Sequence, residues 1–385
     1  MKNNHLTYFK IENFKKFDSL EVNDIGQFNL IVGDNNVGKT CLLEALLFDE
    51  RPKNTINWYQ ELLIKRRLVS SSFMLLNEEN KEHNFETNTF AFYQKHKNKP
   101  INFYINQDEY CLENILEEVY TTSKEDLKEF TNENHLFDYE GIRKKSKNWI
   151  VFKNNQKVRF LLDLTSTYYE NFINRPENSK IPSIPALMLN DELEQFLSKN
   201  YEQIFLKLNL GYKISELILK LFPNIKIVEF QNSEINSPSF FKSLMIKTSE
   251  RSDFHNIREY GEGFVRSIYI TILLLSSDSK KFIIDEIDTG IHHTKLKEIW
   301  IIVLQICTEM NVQLFATTHS HECSLAYIEA SKYLTENNSI NQNSFKLIEL
   351  YNKQNNTTSF VTSGIDNIEY AIKNEPYRGE NDYDV

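Results

Sequence analysis

The sequence predicts an α/β fold built on a parallel sheet, and three strand-to-loop junctions carry that prediction. In the first, the apolar run 28–32 leads into a glycine-containing loop and then into residues 41–47, which suit a helix. In the second, residues 281–286 form an apolar strand that ends in two carboxylates. In the third, the strand predicted at 311–316 ends in a short polar segment. Continuous apolar strands are typical of parallel sheets, because both faces of such sheets are covered.

The loop of the first junction, residues 33–40, reads Gly-Asp-Asn-Asn-Val-Gly-Lys-Thr and is a complete GxxxxGK[ST] pattern. Glycines let the backbone wrap a triphosphate, and N–H groups of the loop and helix start point at the anion. In this pattern Lys39 reaches the β- and γ-phosphates, and Thr40 holds Mg²⁺. An ordinary βα turn would not explain a Lys-Thr pair at the helix start. The predicted nucleotide-binding residues are Gly33, Asp34, Asn35, Asn36, Val37, Gly38, Lys39, Thr40 and Cys41.

The second junction places Asp285 and Glu286 at the end of its strand. Ligands of parallel α/β sheets bind outside the carboxyl ends of the strands, so paired acids there are well placed. Asp285 is predicted to anchor the Mg²⁺ shell, and Glu286 to polarise the attacking water as general base. The alternative is a pair of solvated acids, which the apolar strand and the phosphate-binding loop disfavour.

The third junction contributes His319, within the segment 317–320. A histidine here can sense a γ-phosphate through a hydrogen bond and position the attacking water. A lone histidine is more often structural, but a strand end beside the carboxylate strand favours the functional role. The predicted catalytic residues are therefore Lys39, Glu286 and His319.

In this order, these elements resemble the ATP-binding-cassette (ABC) heads of the RecF/SMC/Rad50 class, and more closely the OLD-type ATPases, also called the AAA15 group. The run 9–17 is similar to that class's opening strand, 285–293 to its Walker B motif with D-loop, and 315–320 to its switch-histidine loop. The resemblance covers residues 1–50 and 183–372. It implies an ABC-type P-loop ATPase head that uses ATP and Mg²⁺. It also implies a homodimer or higher homo-oligomer, in which two chains sandwich two ATP molecules.

The resemblance further implies a signature motif that completes the nucleotide site of the opposite chain. The candidate is the run 260–266, which opens a predicted helix over 267–275. The predicted signature residues are Gly261, Glu262 and Gly263. Glycines at a helix N-terminus suit an anion contact, although a glycine-containing N-cap is the alternative. Two positions before the first glycine, where a hydroxyl residue is usual in this class, the chain has Glu259, which argues against a direct γ-phosphate contact there. The position of the Gln loop is left open, with Gln94 as one candidate.

The domain prediction is a split head with an insertion and a tail. Residues 1–50 and 183–372 are assigned to the head, 51–182 to an insertion of mixed helices and strands, and 373–385 to an acidic tail. The secondary structure predicted in the insertion is a strand at 101–105, a helix at 112–130 and a hairpin of 149–152 with 158–162. The secondary structure predicted beyond it is a helix within 191–221, strands at 225–230 and 241–247, a hairpin of 344–351 with 358–361, and a helix at 365–373.

Composition suits a cytoplasmic protein with a large core. The chain has 385 residues, of which 41% are hydrophobic and 25% charged. The cysteines form no CxxC pair, which favours reduced thiols over a disulfide or zinc framework; they are Cys41, Cys111, Cys307 and Cys323. The first residues hold no apolar signal core, and the longest apolar run, 268–275, is too short to span a bilayer.

The net charge of −10 gives no support to DNA binding, because dedicated nucleic-acid binders are usually basic. Two local basic patches exist, at 65–67 and at 143–147, and Trp149 follows the second. Such patches could contact phosphate and a base, although solvated surface is the commoner role. DNA binding is therefore left open and would be confined to a small face.

The leading functional hypothesis, implied by the resemblance, is an ATP-gated dimeric switch. Stand-alone ATPase subunits of this kind often control a separately encoded effector, a nuclease or toxin, as in phage-defence pairs of the PARIS or Septu kind. One alternative is a RecF-like DNA repair or recombination ATPase that binds DNA directly, which the acidic balance disfavours. The other is a single-chain nuclease. The segment after His319 is too short for the Toprim domain of full OLD proteins, and the DxD spacing of Asp382 and Asp384 falls in the acidic tail.

Overall fold

The computed structural model of the chain describes residues 5–50, 55, 94–96, 99–116, 148–155, 157–163, 200–232, 244–276, 280–337, 339–353 and 357–365. The strands in chain order are β1 (Phe9–Phe14), β2 (Phe17–Val22), β3 (Phe28–Gly33), β4 (Ile101–Ile105), β5 (Asp108–Leu116), β6 (Asn148–Asn154), β7 (Lys157–Asp163), β8 (Ile227–Asn232), β9 (Leu244–Thr248), β10 (His255–Asn256), β11 (Lys281–Ile284), β12 (Gln313–Thr317), β13 (Phe345–Asn352) and β14 (Thr358–Ser363). The α-helices that frame the site are α1 (Lys39–Ala45), α2 (Gly211–Leu221), α3 (Glu262–Ser276), α4 (Leu296–Glu309) and α5 (His321–Glu336).

The central sheet has the order β11-β12-β3-β13-β14, with parallel pairing from β11 to β13 and an antiparallel β14. Alternate side chains of its strands enter two different cores. The core on the side of α2 to α5 contains Phe28, Leu30, Phe282, Ile284, Leu314 and Ala316. The core on the side of α1 contains Ile31, Ile283, Phe315 and Ile348. Burial on both faces explains the continuous apolar runs, and the prediction of an α/β fold built on a parallel sheet is confirmed.

A second, antiparallel sheet has the order β2-β1-β4-β5-β6-β7 and lies over the other side of α1. Leu42 and Leu43 of α1 share a core with residues of both sheets, so the helix is held between them. The turn between β1 and β2 is joined to α1 by the buried ion pair of Lys15 with Glu44. Because β4 pairs directly with β1, the sheet runs across the predicted domain boundary at residue 50.

The helix predicted at 112–130 in the insertion was wrong over the part that the structure describes. Residues 112–116, predicted as the start of a helix, belong to β5, which pairs with β6 through Glu113 opposite Val151. Glu and Leu favour a helix locally, but cross-strand pairing overrides that weak preference. The rest of the predicted helix, 117–130, lies outside the described residues. The hairpin predicted farther along is confirmed as β6 with β7.

The third sheet, β10-β9-β8, leads into the candidate signature region. It packs with α2, whose buried side chains Ile214, Ile218 and Leu221 recur at helical spacing. The predicted helix over 191–221 is interrupted, because Asn209 has φ 50° between a π-helical turn, Glu202–Lys207, and α2.

The C-terminal hairpin prediction is confirmed as β13 with β14. Of the predicted helix at 365–373, only Ile365 is described. The tail, the basic patches 65–67 and 143–147, and the side chain of Trp149 also lie outside the described residues. Within the described part of the chain, no helix combines the length and apolarity needed to cross a membrane. All four cysteines are free in the structure, and Cys307 and Cys323 are buried.

Candidate nucleotide site

The loop 33–40 leaves β3 at the carboxyl edge of the central sheet and continues into α1. Gly33 and Gly38 have φ values of 135° and 115°, which disfavour any side chain. A Cβ on Gly33 would also lie 2.2 Å from the carbonyl oxygen of Leu350. Glycine is therefore required at position 33, and the two glycines of the motif explain the backbone conformation at both ends of the loop.

Lys39 lies inside the loop and is only 5% exposed. Its Nζ donates hydrogen bonds to the carbonyl oxygens of Gly33, at 2.6 Å, and Asp34, at 2.8 Å. Burial lowers the pKa of the ammonium from 10.5 to about 8, although the charges of Asp34 and Asp285 oppose that shift. A buried cation on main-chain carbonyls fits a role in holding phosphate oxygens, which are stronger acceptors.

Asp285 follows β11 and lies between two threonine hydroxyls. Thr40 Oγ1 donates to Asp285 Oδ2 at 2.9 Å, and Thr317 Oγ1, at the end of β12, donates to Asp285 Oδ1. A carboxylate beside a hydroxyl offers the hard oxygen ligands that Mg²⁺ prefers. Thr40 and Asp285 therefore fit a Mg²⁺ ion.

Glu286 has a left-handed backbone conformation, with φ 49°, which is uncommon for residues other than glycine. Its N–H donates to Thr317 Oγ1 at 2.8 Å, and its carbonyl oxygen accepts from Arg266 Nη2. Its carboxylate accepts from Thr289 Oγ1 at 3.2 Å and lies 3.7 Å from His319 Nε2. The side chains of Glu286 and His319 are 54% and 41% exposed, so a water molecule can reach them. Contacts from three directions hold this strained backbone in place.

Arg266 lies in the first turns of α3 and is 8% exposed. It donates to the carbonyl oxygens of Asp285, at 3.3 Å, and Glu286. Burial lowers the pKa of its guanidinium to about 10, opposed chiefly by the charges of Asp288 and Glu262. Arg266 thus ties α3 to the carboxylate strand. Arg266 is the last residue of the candidate signature run, but its contact with residues 285 and 286 was not predicted; an arginine in an otherwise apolar helix was the available signal.

The candidate signature residues contact the D-loop of their own chain. A Cβ on Gly263 would lie 2.9 Å from the carbonyl oxygen of Gly290, and one on Gly290 would lie 2.7 Å from the side chain of Glu262. Gly261 has φ 90°, with open space where a Cβ would stand. The helix begins at Glu262, so its predicted start at 267 was wrong; an acid in the first turn complements the helix dipole.

Two further sequence expectations concern side chains around these motifs. Glu259, which replaces the usual hydroxyl, lies 3.5 Å from Arg251 and 3.2 Å from His255, so the guanidinium balances its charge locally. The amide of Gln94 donates to the carbonyl oxygen of Lys99, in its own loop. The structure therefore brings together the P-loop, Asp285, Glu286 and His319, whereas their functional assignments stay predictions.

Residues 28–322 match the family described as “AAA domain, putative AbiEii toxin, Type IV TA system”. A Helicobacter pylori protein named "ATP/GTP phosphatase" is 22% identical over 342 residues, which cover 81% of this chain and 85% of that protein. Among solved structures, an SMC head bound to the C-terminal winged-helix domain of ScpA has a TM-score of 0.48 at 12% identity, over 95% of this chain and 99% of that one. The SMC head of Thermotoga maritima has a TM-score of 0.42 at 11% identity, over 93% and 99%.

Proposed function

The chain belongs to this AAA-domain family and is an ATP-binding P-loop ATPase, and from that premise we propose that it acts as a Mg²⁺-dependent, ATP-gated switch. The observation that carries the proposal is the meeting of three strand ends at one edge of the sheet. Thr40 lies 2.9 Å from Asp285, and His319 lies 3.7 Å from Glu286. The proposed Mg²⁺ ligands, Thr40 and Asp285, and the proposed catalytic pair, Glu286 and His319, therefore lie beside the same phosphate-binding loop.

The proposed roles follow from the contacts of each side chain. Bound Mg²⁺ would supply charge neutralisation at the phosphates and a fixed orientation for them. Lys39 would exchange its two carbonyl partners for phosphate oxygens, and Thr40 would turn from Asp285 toward the ion. Glu286 would take the proton of the attacking water, while His319 would orient that water from the opposite side.

We further propose that two chains close over the site, each offering Gly261, Glu262 and Gly263 to the other's nucleotide. Support comes from the open space at Gly261 and from the partial exposure of Glu286 and His319. A helix N-terminus such as that of α3 is suited to an anion. Glu259 would stay out of that contact, since Arg251 already balances its charge.

The output of the switch is proposed to be control of a separate effector protein, in phage defence. The family's description as a putative AbiEii toxin of a type IV TA system supports a role in a system of two components. In this scheme ATP closes the dimer and hydrolysis opens it. The effector would then respond to one of the two states.

Light scattering of the Glu286→Gln variant tests the dimer proposal. This variant should bind ATP without hydrolysing it, so Mg²⁺-ATP should convert it from its nucleotide-free mass to a stable dimer. Lys39→Ala is the control and should keep its nucleotide-free mass at the same ATP concentration. If Glu286→Gln shows one mass with and without ATP, the nucleotide does not drive association and the switch proposal fails.

A further inference from the structure

Thr317 ends β12 and is fully buried beside the two acids that follow β11. Its hydroxyl donates to Asp285 Oδ1 and accepts the N–H of Glu286 at 2.8 Å. Its carbonyl oxygen accepts the N–H of Ile287 at 3.0 Å. One residue of the neighbouring strand therefore binds three consecutive residues beyond the end of β11.

The two carboxylate oxygens of Asp285 accept from different hydroxyls, and only one of these hydrogen bonds must break when Mg²⁺ binds. Oδ2 accepts from Thr40, whose hydroxyl is the predicted Mg²⁺ ligand and must leave Asp285 to bind the ion. Oδ1 accepts from Thr317, which lies behind the acid and needs no change of partner. Thr317 can therefore hold the plane of the carboxylate while the other oxygen is released.

The second contact of Thr317 acts on the backbone of Glu286. That residue has φ 49°, and its N–H is directed at Thr317 Oγ1. Without this acceptor the N–H of Glu286 would lose its partner in the protein, and the backbone would be freer to relax toward ordinary φ values. Such a change would move the carboxylate away from its place near His319. The next residue, Thr318, instead donates to Asp288 Oδ1 at 2.6 Å and serves the D-loop.

We propose that Thr317 is a positioning residue for both acids. Its hydroxyl orients Asp285 toward Mg²⁺ and fixes the main chain of Glu286 for water activation, without touching nucleotide or ion itself. The inference rests on the proposed Mg²⁺-ATP site. Removing a side chain that hydrogen-bonds to a metal ligand, without binding the metal itself, typically lowers metal affinity or activity by about 10–100-fold.

The test replaces the hydroxyl by a methyl group in Thr317→Val and measures the Mg²⁺ concentration for half-maximal ATP hydrolysis. That concentration should rise by about 10–100-fold. Nucleotide affinity measured by calorimetry in EDTA should stay close to wild type, because Lys39 and the loop are unaltered. Thr317→Ser, which keeps the hydroxyl, should restore the wild-type Mg²⁺ requirement.

The matched control is Thr271→Val, another buried threonine, whose hydroxyl bonds within α3 to the carbonyl oxygen of Ser267. It should lose some thermal stability without a change in Mg²⁺ requirement. If Thr317→Val does not fold, Thr317→Cys takes its place, because a thiol is a weak donor of similar size. The Cys variant should shift the Mg²⁺ requirement and the Ser variant should not.

A Thr317→Val or Thr317→Cys protein with the wild-type Mg²⁺ requirement overturns this inference, as does a Ser variant shifted as far as Val. Such a result leaves the proposed function standing if wild-type hydrolysis still needs Mg²⁺ and Lys39. Wild-type hydrolysis that is independent of Mg²⁺ contradicts the proposed site and this inference together.

Discussion

At the scale of single residues, Lys39 shows how burial changes the pKa of an ammonium group that is predicted to bind phosphate. Its partners are the carbonyl oxygens of Gly33 and Asp34, and burial brings its pKa to about 8. Phosphate oxygens would favour the charged form more strongly than these carbonyls do. Nucleotide binding should therefore raise the pKa of Lys39, which couples affinity to pH.

We predict that nucleotide affinity falls as the pH rises above about 8. There the free protein loses the Lys39 proton, which binding must restore, so Kd should increase by up to about tenfold per pH unit. Calorimetry between about pH 7 and pH 9.5, in buffers of different ionisation enthalpy, measures Kd and proton uptake together. Lys39→Ala should bind weakly with no such dependence. Equal affinity and no proton uptake across this range would contradict the assignment.

The same lowered pKa fixes the sign of a stability effect. The unfolded chain holds the Lys39 proton up to its ordinary pKa of 10.5, whereas the folded nucleotide-free protein releases it near 8. Between these values the unfolded state binds more protons, so this group's contribution to the free energy of unfolding rises with pH. Below pH 8 the buried charge of Lys39 lowers the free energy of unfolding, and bound nucleotide would offset this loss.

At the scale of secondary-structure elements, α3 and β11 are joined through one buried guanidinium. Arg266 reaches the carbonyl oxygens of Asp285 and Glu286 across 19 and 20 residues of sequence. The N-terminus of α3 also packs on the D-loop through Gly263 and Gly290. A displacement of α3 would therefore move the backbone of Glu286, the proposed general base.

Replacing that guanidinium should slow hydrolysis more than it weakens binding. Arg266→Met keeps an apolar stem but frees the carbonyl oxygens of Asp285 and Glu286, and misplaced catalytic groups can cost about 10²-fold in rate. Steady-state kinetics should show that loss in kcat, while calorimetric nucleotide affinity changes little. Lys297→Met, on the exposed face of α4, is the control and should behave like wild type. An Arg266→Met protein with wild-type kcat would show that the contact is only structural.

Local patterns predicted the elements that carry the motifs and missed those that depend on distant pairing. The strands β3, β11 and β12 could be predicted from their apolar residues, because both faces of each strand are buried. Residues 112–116 look helical by composition, and only their pairing with β6 makes them a strand. Thr317 and Arg266 lie in the runs matched to the switch-histidine loop and the signature motif, but their contacts with residues 285–286 were not predicted, because those partners are far away in sequence.

At the scale of the whole molecule, two sheets and one helix place the phosphate-binding loop. The parallel sheet aligns the carboxyl ends of β3, β11 and β12, and the antiparallel sheet holds α1 from the other side. The motifs alone predicted the nucleotide-facing edge of this arrangement. They could not predict that strands on both sides of residue 50 form one sheet, because β1 and β4 meet only through long-range pairing.

Single-turnover hydrolysis by Glu286→Gln tests the central claim most directly, namely that the acid pair after β11 serves the nucleotide in the P-loop. Glutamine keeps the side-chain shape but cannot accept the water's proton. We therefore expect a loss of about 10²–10⁴-fold in the rate, with ATP affinity retained. Lys39→Ala, measured alongside, should bind ATP only weakly. If Glu286→Gln hydrolyses bound ATP at the wild-type rate, another residue activates the water and the account of the site is wrong.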